Sequence, residues 1–318
     1  MKIIFYGTPE FAVASLDALN KEFEIAGVVT APDRPAGRGL ELKHSAVKKY
    51  ALEHGLAVLQ PTSLRSEEFI EKVKSIGPDL QVVVAFRMMP RILWSLPSYG
   101  TINLHASLLP QYRGAAPINR AIINGETTTG LTTFFINETI DTGNVILQEK
   151  IEIGDLTNAG ELHDIMKEKG ADLLVRTVHL IGTGNIKTTD QVELSEAGSE
   201  LKHAPKIHTP DCRIDWTKDS RDVHNLIRGL SPYPGSFTFL DQKSRKKVKI
   251  FDSRPTKKVP NEIPGTISVR DNSLQVACAD ATLEIISLQM EGKRKMSAQE
   301  FINGLQETEG LCFVGSDD

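Results

Sequence analysis

Asn103 and His105 lie two positions apart at the end of a strand-like run, Gly100-Thr101-Ile102-Asn103-Leu104-His105. Residues at that spacing project from one face of a strand. A loop marked by Pro110, Gly114 and Pro117 follows at once, which sets the amide and the imidazole at the edge of a cleft. The amide can donate to an oxygen that gains negative charge, and the imidazole can accept a proton. Together these capacities suit acyl transfer. Asp141 is the third candidate, in the turn Asn137-Glu138-Thr139-Ile140-Asp141-Thr142-Gly143. A turn aspartate commonly bonds its own backbone. It could also orient His105 or carry protons to and from the reacting centre, and spacing alone favours the turn role.

Other constellations carry less. Ser107 would complete a serine–histidine–aspartate set, but no G-x-S-x-G elbow surrounds it, and it stands two residues from the histidine on one strand end. His163 with Asp164, and His203 with His208, lack the H-E-x-x-H spacing of a metal site, so no metal is expected. Gly7-Thr8-Pro9 follows a strand without the G-x-G-x-x-G pattern, and there is no P-loop, which disfavours NAD, FAD and ATP.

The elements that must position these residues alternate between two periods. Lys2–Gly7, Ile25–Thr30, Leu80–Phe86 and Gly100–His105 read as buried strands. A helix is expected to open at Thr8-Pro9-Glu10 with Thr8 as its cap, and Ser45–His54 and Ser66–Ile76 read as amphipathic helices. Gly130–Asn137 and Asn144–Ile153 add two strands, and a helix from Ala159 to about Ile181 closes the series. The expected fold is α/β, a doubly wound, mostly parallel, Rossmann-like sheet over residues 1–188. Ligands gather outside the carboxyl ends of such sheets, where Asn103 and His105 fall. A polar linker is expected over 189–206. Residues 207–318 change character: after a helix near Ser220–Gly229, short strands at Gly235–Leu240, Lys247–Ser253, Gly265–Arg270, Ser273–Ala277 and Thr282–Leu288 indicate a small C-terminal β-barrel of OB-like type.

With 318 residues, two domains are the natural prior, and 40% hydrophobic with 25% charged residues is an ordinary globular composition. The apolar start, Lys2–Gly7, is too short for a signal peptide and no run approaches the roughly 20 residues of a membrane span. Cys212, Cys278 and Cys312 form neither a zinc pattern nor a disulfide framework. A cytoplasmic monomer without membrane contact is expected. The net charge of −4 hides local basic faces. Lys243, Arg245, Lys246, Lys247, Lys249, Arg254, Lys257 and Lys258 form one run, and Lys293-Arg294-Lys295 another. Asp33-Arg34-Pro35-Ala36-Gly37-Arg38-Gly39 is a loop with two arginines. Each reads either as a solvated face or as a surface for a phosphate backbone.

These residues resemble the folate-dependent formyltransferases, and among them the family of methionyl-tRNA formyltransferases, over nearly the whole chain. Gly7-Thr8-Pro9-Glu10-Phe11 resembles the opening motif, and Pro32 to Gly39 the loop set near the acceptor end of the substrate. Asn103 to Pro117 resembles the formyltransferase signature with its Ser107-Leu108-Leu109-Pro110 element, and Asp141-Thr142-Gly143 the third catalytic motif. Ile214-Asp215-Trp216 and Ser231-Pro232-Tyr233-Pro234-Gly235 resemble elements of a tRNA-binding domain.

The resemblance implies formyl transfer from 10-formyltetrahydrofolate to the amino group of methionine on initiator tRNA. It implies Asn103, His105 and Asp141 as catalytic residues and Ser107, Leu108, Leu109 and Pro110 as the folate-binding element. It also implies that Arg38 places the acceptor end, while Lys246, Lys247 and Lys249 of the basic run would meet the tRNA backbone. The chain departs from the family pattern at Leu40-Glu41-Leu42, at Phe86-Arg87-Met88-Met89-Pro90, and at Gln111, where an arginine is common. A purine-precursor or amino-sugar formyltransferase, a formyl-folate hydrolase and a non-catalytic RNA-binding module are the rival readings.

Overall fold

The computed structural model describes residues 1–36, 41–184, 186–195, 200–241, 245–305 and 310–314, with the backbone alone for 34–36 and 41–42. Arg38 and Lys243 lie outside the described residues. The chain divides into two units that interleave along the sequence. One comprises Met1–Gly114, Thr129–Ile151 and His163–Ala204; the other comprises Ala115–Thr128, Glu152–Leu162 and Pro205–Asp318.

In chain order the elements are β1 (Lys2–Gly7), α1 (Phe11–Glu22), β2 (Glu24–Val29), β3 (Arg34–Ala36), β4 (Glu41–Lys43), α2 (Ala46–Glu53) and β5 (Val58–Leu59). There follow α3 (Glu67–Ile76), β6 (Leu80–Val84), α4 (Arg91–Trp94), β7 (Thr101–His105), β8 (Arg113–Gly114) and α5 (Pro117–Ile123). Next come β9 (Thr128–Phe135), β10 (Val145–Glu152), α6 (Ala159–Gly182) and β11 (His203–Ala204). The first unit is built on a sheet of order β10-β9-β7-β6-β1-β2-β5. Pairings of β1 with β2 and β6, β2 with β5, and β6 with β7 are parallel, whereas β9 runs antiparallel to β7.

Helices cover both faces, so the central strands are apolar on both sides, as β6 Leu-Gln-Val-Val-Val illustrates. On one face Ile4, Tyr6 and Val83 pack with Phe69, Ile70 and Val73 of α3 and Leu93 of α4. On the other, Ala12 of α1 and Phe5 both crowd the space a Cβ would take at Gly7, and Thr133 of β9 shares a 2.8 Å hydrogen bond with Thr177 of α6. Most boundaries shift by a residue or two from the sequence reading, and two of the shifts have a visible cause. The α1 helix begins at Phe11, because Ala12 and Val13 N–H groups bond the carbonyls of Pro9 and Glu10 in a preceding turn; Thr8 is not its cap. Strand β6 ends at Val84, because Ala85 turns the chain through φ +48°.

The second unit contains α7 (Ser220–Gly229), β12 (Ser236–Asp241), β13 (Lys246–Pro255), β14 (Ile267–Arg270), β15 (Ser273–Ala277), β16 (Thr282–Met290), β17 (Met296–Ser297), α8 (Ala298–Asn303) and β18 (Cys312–Val314). The strand order is β14-β15-β16-β13-β12-β18, with β17 on β16. Ile267 N–H bonds Leu311 O at 3.0 Å, and Phe313 N–H bonds Gly265 O at 2.8 Å. Those bonds join the last strand to the first, closing the sheet into a barrel and removing its open edges. Its interior holds Ile214, Trp216, Leu240, Val248, Ile250 and Phe313 among others, with Trp216 stacked on Phe313 at 5.7 Å. Helix α5 belongs here: Asn119 Nδ2 donates to Gly229 O of α7 at 2.7 Å. No helix among the described residues is long and apolar enough to cross a membrane.

Candidate active site

The parallel strand β7 delivers Asn103 and His105 at its carboxyl end on one face, as period-2 alternation requires. His105 is buried, and its Nε2 lies 2.9 Å from the carbonyl oxygen of Tyr112. A carbonyl only accepts, so Nε2 carries the proton and the basic lone pair of the neutral ring sits on Nδ1. Nδ1 faces Asp141 Oδ2 at 3.9 Å. That gap is too long for a hydrogen bond, yet short enough for an ion pair once the ring is protonated. The amide of Asn103 is half-buried and has no side-chain partner among the described residues. A basic nitrogen and an uncommitted amide from the end of β7 therefore meet a carboxylate from the 137–143 turn, all within one unit.

Asp141 is fixed from several directions. Its Oδ2 accepts from Gly114 N–H at 3.0 Å. Its backbone has φ +55°, and Tyr112 has φ +59°. Aspartate tolerates the left-handed region, whereas a bulky tyrosine there is strained. Two residues on, a Cβ at Gly143 would overlap the carbonyl oxygen of Phe135. Only glycine fits the Asp-Thr-Gly turn at that point.

The Ser107–Pro110 element is buried apart from the half-buried Leu108. Ser107 Oγ donates to Gln111 O at 2.6 Å, which turns the hydroxyl away from any nucleophilic role. Thr132 of β9 accepts from Leu109 N–H at 3.1 Å and donates to Ser107 O at 2.7 Å. Gln148 of β10 donates to Leu109 O at 2.8 Å. Leu109 packs with Phe134 and Val145. Thr132 and Gln148 thus hold the loop by its backbone, and nothing in the sequence sets them apart from the other polar residues of β9 and β10. Gln111 does not stand idle without the arginine's charge: its side chain accepts from Lys202 N–H at 2.8 Å and donates to Glu200 O at 3.3 Å.

Beyond β6, Phe86 meets Tyr6 edge-on at 5.6 Å, and Arg87 donates to the carbonyls of Pro61 and Thr62. At the foot of the arginine loop, Asp33 accepts from Lys48 and Gln60, with His44 Nδ1 at 3.1 Å. Lys48 first, then Gln60 and His44, hold the Asp33 carboxyl down at about 2. That knot ties both feet of the β3–β4 hairpin to the sheet.

The three lysines separate on β13. Lys247 and Lys249 are half-buried and share the outer face, while Lys246 alternates to the other side at the strand's exposed start. Lys247 Nζ sits 3.7 Å from the centroid of Phe237, and Lys249 Nζ donates to Pro234 O at 2.8 Å. Lys295 lies 4.9 Å from Phe251, which brings the second basic cluster to this face; Arg294 is paired with Glu300 at 2.5 Å. His163 and Asp164 meet Glu10, where the ammonium of Lys167 lies 2.9 Å from the Glu10 carboxylate. The cysteines are free, and burial pushes the thiol of Cys278 up to about 12 and raises those of Cys212 and Cys312. They are poor nucleophiles in this state.

Residues 1–178 match the family described as formyl transferase, and residues 206–306 match the formyl transferase C-terminal domain. The chain belongs to the formyl transferase family. Over 307 residues it is 46% identical to the methionyl-tRNA formyltransferase of Flavobacterium johnsoniae, covering 96% of each chain. Over 316 residues it is 47% identical to the methionyl-tRNA formyltransferase of Bacteroides fragilis, covering 98% of this chain and 97% of the other. In fold it is similar to a sugar 3N-formyl transferase whose crystal structure was obtained in the presence of dTDP and 5-N-formyl-THF. That likeness has a TM-score of 0.65 and 20% identity, over 92% of this chain and 99% of the other.

Proposed function

We propose that this chain transfers a formyl group from 10-formyltetrahydrofolate to the amino group of methionine on initiator tRNA, yielding N-formylmethionyl-tRNA for translation initiation. The observation that carries the chemistry is the committed Nε2 of His105, which turns a basic Nδ1 towards Asp141 beside the free amide of Asn103. The methionyl amine attacks only when neutral, and a free α-amino group titrates at about 7.7–8.0. As the nitrogen–carbon bond forms, His105 Nδ1 takes the amine proton and Asn103 donates to the formyl oxygen, which gains charge. Asp141 holds the resulting imidazolium and relays the proton to the folate nitrogen. The bond from that nitrogen to the formyl carbon then breaks.

The folate runs along Ser107, Leu108, Leu109 and Pro110, whose backbone Thr132 and Gln148 keep in place. Residues 1–188, apart from the 115–128 and 152–162 segments that belong to the second unit, act as the catalytic domain, and 207–318 together with those segments act as the tRNA-binding domain. Arg38 reaches the acceptor end, and Lys247 and Lys249, with Lys246 at the strand start, meet backbone phosphates. The enzyme works as a cytoplasmic monomer, which sedimentation of the purified chain tests. The deciding assay supplies labelled 10-formyltetrahydrofolate with charged initiator tRNA and an elongator control. Label on the initiator amine alone is expected. Formate release without acceptor would instead make the chain a hydrolase, and absence of turnover would make it a binding module.

A further inference from the structure

Gln191 lies in the polar stretch after α6, which composition marks as a linker. The residue is 2% exposed. Nε2 donates to two carbonyls of the catalytic turn, Asp141 O and Gly143 O, each at 2.9 Å. Oε1 accepts from Arg113 Nε at 3.0 Å and from Arg113 Nη2 at 2.6 Å. The amide orientation follows from its partners: a guanidinium only donates and a carbonyl only accepts, so the reversed amide would satisfy neither side. The backbone of the same stretch is stitched down, with Thr189 and Val145 exchanging N–H···O bonds of 2.9 and 2.8 Å.

These bonds close a ring around Asp141. Gly114 N–H holds the carboxylate, and the adjacent Arg113, acting through Gln191, holds the carbonyl of the same residue. Asp141 sits in the left-handed backbone region, φ +55°, which aspartate tolerates but does not by itself enforce. We infer that Gln191 is a positioning residue for formyl transfer: it locks the left-handed turn so that Asp141 Oδ2 stays opposite His105 Nδ1. Arg113 sets the orientation of the Gln191 amide. This deepens the proposed reading of the site and rests on it.

The test uses the full chain and single-turnover transfer to charged initiator tRNA. Gln191→Glu keeps the size and the Arg113 contact but sets a carboxylate oxygen against two carbonyls. The isosteric Gln191→Met removes the hydrogen bonds without adding charge, and serves if the first variant does not fold. A displacement on the order of 1 Å costs about 10²-fold in rate, so a fall in the transfer rate of about 10- to 100-fold is expected, with the dissociation constant for the folate unchanged. In an Asp141→Asn background the same substitutions should cost no more than about 2-fold, because the group they position is already removed. A merely structural glutamine would instead weaken folate binding and give additive losses, which overturns the inference. Near-normal transfer by both Gln191 variants, with Asp141→Asn slow, also overturns it while leaving the site reading intact. Normal transfer by Asp141→Asn removes the site reading and the inference with it.

Discussion

The proton on His105 Nε2 decides what the other active-site atoms can do. Because the Tyr112 carbonyl accepts from it, the base is Nδ1, and the carboxylate of Asp141 stands where charge will appear. His105→Ala should therefore slow single-turnover transfer by about 10²–10⁴. Asn103→Ala should slow it by about 10²–10³. Near-normal rates in either variant would remove the assigned role. Asp141→Asn should also be slow while folate still binds, which equilibrium binding measures directly. The pair on β7 was legible because a strand has a fixed period and both residues carry chemistry. Gln191, Arg113, Thr132 and Gln148 were not, because a polar residue declares its partner only when the chain folds. Nothing in the spacing from 141 to 191 announces a bond between them.

At the level of elements, alternation on β13 separates residues that are adjacent in sequence. Lys247 and Lys249 share the outer face with Phe251, and Lys295 joins them there. Neutralising Lys246, Lys247 and Lys249 together should weaken tRNA binding and flatten its dependence on log salt, by about 0.9 for each phosphate left without its cation. The Lys247–Lys249 pair should account for most of that change; a slope equal to that of the parent protein would mark the lysines as a solvated face only. Leu109 is 2% exposed and packs against Phe134 and Val145. Leu109→Ala should cost about 2–5 kcal/mol of stability, read by denaturant unfolding, and loosen the folate loop besides. Long elements with one clear period, such as β1, α3, α6 and α7, were readable within a residue or two. Helices α4 and α8, of 4 and 6 residues, and the two-residue β5 are too short to show a period, so packing alone defines them.

For the molecule as a whole, a buried histidine outside the active site sets an acid limit. His224 of α7 donates from Nε2 to Asp155 O at 3.1 Å and has Nδ1 3.0 Å from Ser253 Oγ. Burial, together with Arg228 and Arg221, lowers its pKa, outweighing the Asp155 carbonyl. The unfolded histidine, titrating at about 6.5, then binds a proton more readily than the folded one. Stability from this site is complete above about pH 6.5 and falls as the pH drops through the lower folded value. The thermal midpoint of the parent protein should decline below that pH, and more steeply than that of His224→Gln. Parallel declines would remove the site from the acid response.

The same unit carries a consequence for how the chain is made and exchanged. Helix α7 is anchored to α5 by the 2.7 Å bond from Asn119 to Gly229, and Arg228 reaches the carbonyls of Gly154 and Thr157 at 3.1 and 2.9 Å. Segments synthesised early, Ala115–Thr128 and Glu152–Leu162, therefore wait on the ribosome for partners that emerge some hundred residues later. A gene fragment beginning at residue 206 encodes the barrel strands without the segments they pack against. The C-terminal third is thus no interchangeable cassette, and recombination between relatives should tolerate crossovers that keep residues 115–128 and 152–162 with the barrel they complete.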